Sequence, residues 1–211
     1  MRKSIITLAL LFAAVATSFA QLSIGFGYRG ELHDFKDSKD SNKELYDLHG
    51  AYLGVSYNIC FNGDEDGFGI APGAYFAFAG DINNNIFTRH TSVELPVYLT
   101  YSLEAGPGIF SVYAGPAFNV GINFKQKWIG EGAYEGTPVD WYKKDTEILP
   151  LYLSRFDLKA GIGLGYRWEH LQFNVGWDFG VLNRYNKDVR KLAPGATYRI
   201  HAWKVGLAYV F

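Results

Sequence analysis

Ala202-Trp203-Lys204-Val205-Gly206-Leu207-Ala208-Tyr209-Val210-Phe211 closes the chain, and its period decides the fold. Trp203, Val205, Leu207, Tyr209 and Phe211 share one face of an extended strand, while Ala202, Lys204, Gly206 and Ala208 share the other. Side chains of a strand alternate between its two faces, so one face here is apolar and the other small or charged. The same alternation recurs toward the N-terminus. Leu171, Phe173, Val175, Trp177, Phe179 and Val181 oppose Gln172, Asn174, Gly176, Asp178 and Gly180. Before them, Phe156, Leu158, Ala160, Ile162, Leu164, Tyr166 and Trp168 oppose Arg155, Asp157, Lys159, Gly161, Gly163, Gly165 and Arg167, with only Glu169-His170 between the two runs. Further strands are expected over about 110–124, 92–104, 68–79, 48–61 and 22–33, an even total of eight.

Connection lengths carry the same message. Short turns at 62–67, 105–108 and 169–170 alternate with longer polar loops at about 34–47, 80–89, 125–150 and 186–196. Transmembrane barrels have short periplasmic turns and long outer loops, so the expected fold is all-β, an eight-stranded antiparallel up-and-down transmembrane β-barrel. No amphipathic helix of useful length is available to bury the apolar faces. Only helices and closed barrels satisfy every backbone group in lipid, and no apolar run downstream of residue 20 is long enough for a spanning helix.

Residues 1–20 have the layout of a secretory signal: Arg2 and Lys3, an apolar run from Ile5 to Val15, and Thr17-Ser18-Phe19-Ala20 before the expected cleavage point. Residues 21–211 then form one barrel domain, with formal charge moving from −1 to −3 as the two basic residues leave. Cys60 is the sole cysteine, so no internal disulfide forms, and Gln21 stands where a lipoprotein would need cysteine. Charged residues make up 19% and aromatics 17% of the chain, and Lys and Arg are scattered among acids, which excludes a nucleic-acid partner.

The facing of the barrel follows from its polar sides. A soluble periplasmic lipocalin-like binding barrel would turn Lys, Glu and Asp outward. Here the polar sides hold Gly, Ala, Ser and Asn with isolated charges, a composition suited to a narrow lumen. Arg29, Glu31, Glu94, Glu104, Arg155, Asp157, Lys159, Arg167, Asp178 and Lys204 all fall there, with both signs represented. Buried charges persist only when paired or wet, so an ionic lumen network is expected, with Arg155, Asp157 and Lys159 set against Asp178.

The stretches Val93-Glu94-Leu95-Pro96-Val97-Tyr98-Leu99-Thr100-Tyr101, Tyr113-Ala114-Gly115-Pro116 and Phe156-Asp157-Leu158-Lys159-Ala160-Gly161-Ile162-Gly163-Leu164-Gly165-Tyr166 resemble the outer-membrane β-barrel domain family, also called PorT-like and common in Bacteroidota-type bacteria. The resemblance spans about 22–211. It implies an eight-stranded barrel of the Gram-negative outer membrane, sometimes associated with secretion machinery, and carries over no catalytic residue. The end Trp203, Val205, Leu207, Tyr209, Phe211 also resembles the signal that barrel-assembly machinery reads on its clients.

The leading functional expectation is a non-enzymatic barrel of structural or binding role with a side-chain-filled lumen. Its expected partners are outer-membrane lipid, the assembly machinery and an unidentified extracellular or periplasmic protein. A narrow porin-like channel is a second reading. A lipid-modifying hydrolase is a third, resting on His90 and Ser92, because a base beside a hydroxyl activates it. Neither Asp64-Glu65-Asp66 nor Asp34, Asp37 and Asp40 follows the ligand spacing of a calcium loop, so no metal or cofactor is expected. Gly161, Gly163 and Gly165 precede no helix and read as space for bulky lumen side chains. In the longest loop, Trp128, Tyr134, Trp141 and Tyr142 either offer surface contacts or fold back over the barrel mouth.

Overall fold

A computed structural model describes residues 20–36, 43–62, 65–129, 138–143 and 152–211. The expected signal segment up to residue 19, Tyr134 and the carboxylates Asp37, Asp40 and Asp64 lie outside the described residues. Eight long strands close a ring: β1 (Ala20–Lys36), β2 (Lys43–Cys60), β3 (Gly67–Asn83), β4 (Ile86–Ala105), β5 (Gly108–Trp128), β7 (Phe156–Trp168), β8 (Leu171–Gly180) and β9 (Thr197–Val210). A short β6 (Pro138–Asp140) adds to the outer end of β5, and a six-residue helix α1 (Lys187–Leu192) precedes β9.

Each ring strand pairs antiparallel with its neighbours in sequence, and β1 pairs with β9 from Ser23↔Val210 to Lys36↔Thr197. The ladder continues to the last residue, because the Phe211 N–H donates to the Leu22 carbonyl at 2.9 Å. Closure leaves the ring without an open edge, so its backbone groups are satisfied without water.

The apolar faces point outward. Phe26 is 59%, Leu99 62% and Ile162 55% exposed, whereas the alternate residues Arg29, Glu94 and Lys159 are each about 1% exposed. This is the reverse of a lipocalin-like barrel, whose interior is apolar, and the soluble reading is thereby corrected. Phe61, Phe68, Tyr101, Tyr166, Trp168, Tyr209 and Phe211 are exposed around the short turns, the position of an interfacial aromatic girdle.

The turns expected near 62–67, 105–108 and 169–170 lie at one end, with the start of β1 and the end of β9. At the loop end the strands run further than the pattern suggests. Residues 80–89 form no long loop: β3 and β4 stay paired to Asn83↔Ile86 and turn through Asn84 and Asn85. Both asparagines have positive φ, 49° and 60°, the backbone of a two-residue primed hairpin turn that asparagine tolerates. Residues 125–128 likewise remain in β5 and pair with β4 up to Ile86↔Trp128. The wall made by β1 to β5 is therefore tall, and that of β7 and β8 low.

Over the low wall the chain folds back as a cap. Phe124, Tyr142, Leu153, Tyr185, Val189, Tyr198 and Ile200 are buried together at the loop end, with Trp141 and Phe35 packed against them. Asn186 caps α1 by accepting from the Asp188 N–H at 3.4 Å, and the helix contributes the buried Val189. Glycine makes room at the middle of the lumen. A Cβ on Gly161 would lie 2.7 Å from the Tyr98 ring and 2.6 Å from Asp178, and one on Gly163 would collide with Tyr113. Gly161 and Gly163 are a floor for tyrosines, and Gly165 makes the same room for Ser111, Gln172 and Asn174.

Candidate functional site

The lumen is crossed at mid-height by a charged network. Glu94 on β4 accepts from Arg29 Nη1 at 2.8 Å through Oε2 and from Lys204 Nζ at 2.7 Å through Oε1. Arg29 and Lys204 are register partners on β1 and β9, so Glu94 bridges two cations across the closing seam of the ring. Lys204 also lies 2.7 Å from Asp178 Oδ2, and the Tyr98 hydroxyl donates to Asp178 Oδ1 at 3.0 Å. Lys159 Nζ is 4.0 Å from Glu94 Oε2 and makes no hydrogen bond among the described residues.

Toward the loop end, Arg29 Nε donates to Glu31 Oε1 at 3.0 Å. Glu31 Oε2 receives His90 Nδ1 at 2.6 Å and His33 Nε2 at 3.3 Å. The far nitrogens of the two rings meet tyrosine hydroxyls, His33 Nδ1 with Tyr198 at 2.7 Å and His90 Nε2 with Tyr142 at 3.0 Å. The arrangement closes if both rings are neutral, each donating to Glu31 and accepting from its tyrosine. Tyr46 hydrogen-bonds Tyr198, and Arg184 donates to the Tyr142 hydroxyl at 3.1 Å and lies 3.3 Å from Asp157. The central network thus sets Arg29, Lys159, Arg184 and Lys204 against Glu31, Glu94, Asp157 and Asp178, four cations against four carboxylates, which low dielectric surroundings require.

On the turn side of this network lies a cavity of about 120 Å³. Tyr52, Tyr75, Tyr98 and Tyr113 line it, and Arg167, paired with Glu65 at 2.6 Å and hydrogen-bonded to Gln21, stands at its turn end.

Of the ten charges expected in the lumen, Arg29, Glu31, Glu94, Asp157, Lys159, Asp178 and Lys204 meet in the network, and Arg167 sits apart in its own pair. Two are corrected. Glu104 keeps the inward parity but is exposed, since β4 has left the lumen at the Gly106-Pro107 turn. Arg155 precedes β7, is exposed at the rim, donates to the Ile122 carbonyl at 2.7 Å and lies 4.8 Å over the Tyr142 ring. The expected grouping of Arg155, Asp157 and Lys159 against Asp178 is replaced by Asp157 with Arg184 and Asp178 with Lys204, because long side chains reach across the lumen as readily as to the next strand. Arg184, His33 and Tyr142 join the network beyond the ten expected charges; of the two readings given for Tyr142, the structure takes the one that folds it back over the mouth. His33 carried a signal, continuing the face of Arg29 and Glu31, but Arg184 follows β8 in irregular chain and carried none.

The C-terminal residues Trp203, Val205, Leu207, Tyr209 and Phe211 share the outward face, the last three well exposed. Trp141 and Tyr142 turn inward over the mouth: Trp141 stacks on Phe124 at 5.9 Å and Tyr142 is buried. Trp128 is half-buried at the tall wall's tip, beside exposed Ile129. Neither ring nitrogen of His90 bonds Ser92; both are taken by Glu31 and Tyr142, and Ser92 accepts from Asn119 at 3.2 Å.

Residues 5–211 match the family described as the outer membrane protein beta-barrel domain. Among solved structures, the attachment invasion locus protein Ail of Yersinia pestis superposes with a TM-score of 0.50 at 14% identity, covering 91% of this chain and 99% of that one. Neisserial surface protein A gives 0.47 at 9% identity, covering 90% and 97%, and OprG of Pseudomonas aeruginosa 0.44 at 14%, covering 92% and 97%. No curated protein matches the sequence. At these identities the likeness to Ail is one of fold.

Proposed function

Because the chain belongs to the outer membrane protein β-barrel domain family, we propose that it is a non-enzymatic barrel, PorT-like in kind, of structural or binding role. In this reading it is exported to a Gram-negative outer membrane by a cleaved signal at 1–20 and displays its loop end outside. The observation that carries it is the lumen. Glu94 with Arg29 and Lys204 fills the middle, and the buried aromatic cap closes the loop end. A pore needs a continuous wet path, which such packing obstructs.

The hydrolase reading loses its support in the hydrogen bonds of His90, which leave no base free for Ser92. Lipid is the natural partner of the outward apolar band. The aromatic C-terminal face, with Phe211 hydrogen-bonded to Leu22, suits recognition by barrel-assembly machinery. For a protein partner outside, the tip of the tall wall offers exposed Ile82 and Ile129 beside Trp128. These apolar side chains stand beyond the strand length a bilayer needs, about 9–11 residues.

Planar-bilayer recording of the purified barrel tests the reading. Absent or very small conductance is expected, and large reproducible steps would establish the porin-like channel instead.

A further inference from the structure

We infer that Glu31, His33 and His90 form a binding site for one divalent transition-metal ion of the zinc type at the loop end of the lumen. The donor atoms of the three side chains lie within 4.8 Å of one another. Two imidazoles and a carboxylate are a donor set that zinc accepts, with a fourth position left for water. The sequence hides the set, since 59 residues separate Glu31 from His90 and β1 meets β4 only across the closed ring.

Geometry supports the assignment. Two ligands on one tetrahedral ion with bonds of about 2.0 Å stand roughly 3.3 Å apart. The His33 Nε2 to Glu31 Oε2 separation is already 3.3 Å. The His90 Nδ1 separation, 2.6 Å, must open by about 0.7 Å to reach that ligand spacing, and the widest separation of the set, within 4.8 Å, must close by up to about 1.5 Å, shifts within the reach of a carboxylate rotation and small ring movements.

The surroundings are those of an oriented site. Metal-bound histidines are generally fixed through their other ring nitrogen, and here Tyr198 holds His33 and Tyr142 holds His90. Glu31 is held through its second oxygen by Arg29. Binding requires lone pairs on the two nitrogens that now face Glu31. A tautomer change in each neutral ring supplies them: the protons move to His33 Nδ1 and His90 Nε2, which then donate to the tyrosine oxygens, while the Tyr198 hydroxyl turns its own proton to the Tyr46 oxygen and the Tyr142 hydroxyl turns its proton away from His90. No proton leaves the site. Arg29 and Arg184 oppose a cation, so the affinity falls below that of a structural zinc centre.

The test titrates Zn²⁺, and separately Co²⁺, into the chelator-treated folded barrel in detergent micelles, with heat-modifiable gel mobility verifying the fold of every sample. One ion per chain is expected, with the strong visible absorption of four-coordinate Co²⁺. His33→Gln and His90→Gln should each weaken binding at least tenfold. Tyr142→Phe keeps all three ligands and should weaken it by roughly tenfold through lost orientation. His49→Gln and His170→Gln, outside the cluster, should leave it unchanged. Absence of saturable one-to-one binding to the wild-type barrel, or equal affinity in folded His33→Gln and His90→Gln, overturns the site. Should either histidine variant fail to fold, the wild-type Co²⁺ spectrum and Tyr142→Phe decide, and a six-coordinate spectrum with unchanged Tyr142→Phe affinity also overturns it.

Discussion

Replacing Glu94 by Gln removes one negative charge from the centre of the lumen while keeping the shape of the side chain. Glu94 is 1% exposed and holds Arg29 at 2.8 Å and Lys204 at 2.7 Å, with Lys159 at 4.0 Å. The variant leaves four cations facing three carboxylates. Removing one partner of a buried ion pair costs about 3–5 kcal/mol, because the remaining charge has no compensation. Arg29 keeps Glu31 at 3.0 Å and Lys204 keeps Asp178 at 2.7 Å, so the loss stays in that range and is not doubled. Urea unfolding of the barrel in lipid vesicles, followed by tryptophan fluorescence, reads it. Adding Lys204→Met restores three against three, and the double variant should recover at least about 1 kcal/mol of coupling. A loss under about 0.5 kcal/mol for Glu94→Gln would show that water screens the charges, and the case for a filled lumen would fail with it.

Two further outcomes are expected in the same assay. Lys159→Met should cost less than Glu94→Gln, under about 3 kcal/mol, since Lys159 lies 4.0 Å from Glu94 with no hydrogen bond among the described residues, and the desolvation it no longer suffers offsets part of the imbalance of three cations against four carboxylates; a loss as large as that of Glu94→Gln would contradict this. Gly163→Ala should cost about 1–3 kcal/mol by driving a methyl group against Tyr113 and to 2.5 Å from the Val175 carbonyl oxygen, and Tyr113→Leu should relieve much of it.

Alternation made the ring legible, because lipid outside and a narrow lumen inside impose opposite demands on successive residues. Trp203 to Phe211 and Leu171 to Val181 show this directly. The same parity misplaced Glu104 and Arg155, since period two states which way a side chain points and nothing of where along the barrel the lumen ends. The Asn84-Asn85 turn was hidden in a polar stretch that reads as loop, although two asparagines suit a backbone with φ positive twice in succession. The loop-end cluster was legible only in part. Glu31 follows from β1's pattern, but its meeting with His90 depends on ring closure, and Arg184 reaches the lumen from chain with no period.

Arg29 and Lys204 face each other across the seam where the first and last strands join. Like charges directly opposed on neighbouring strands repel. Glu31 on β1 and Asp178 on β8 each offset one of these charges, and Glu94 on β4 offsets both at once. The carboxylate is therefore a clasp, set on a strand that pairs with neither terminal strand, that ties the two ends of the chain together through their like charges.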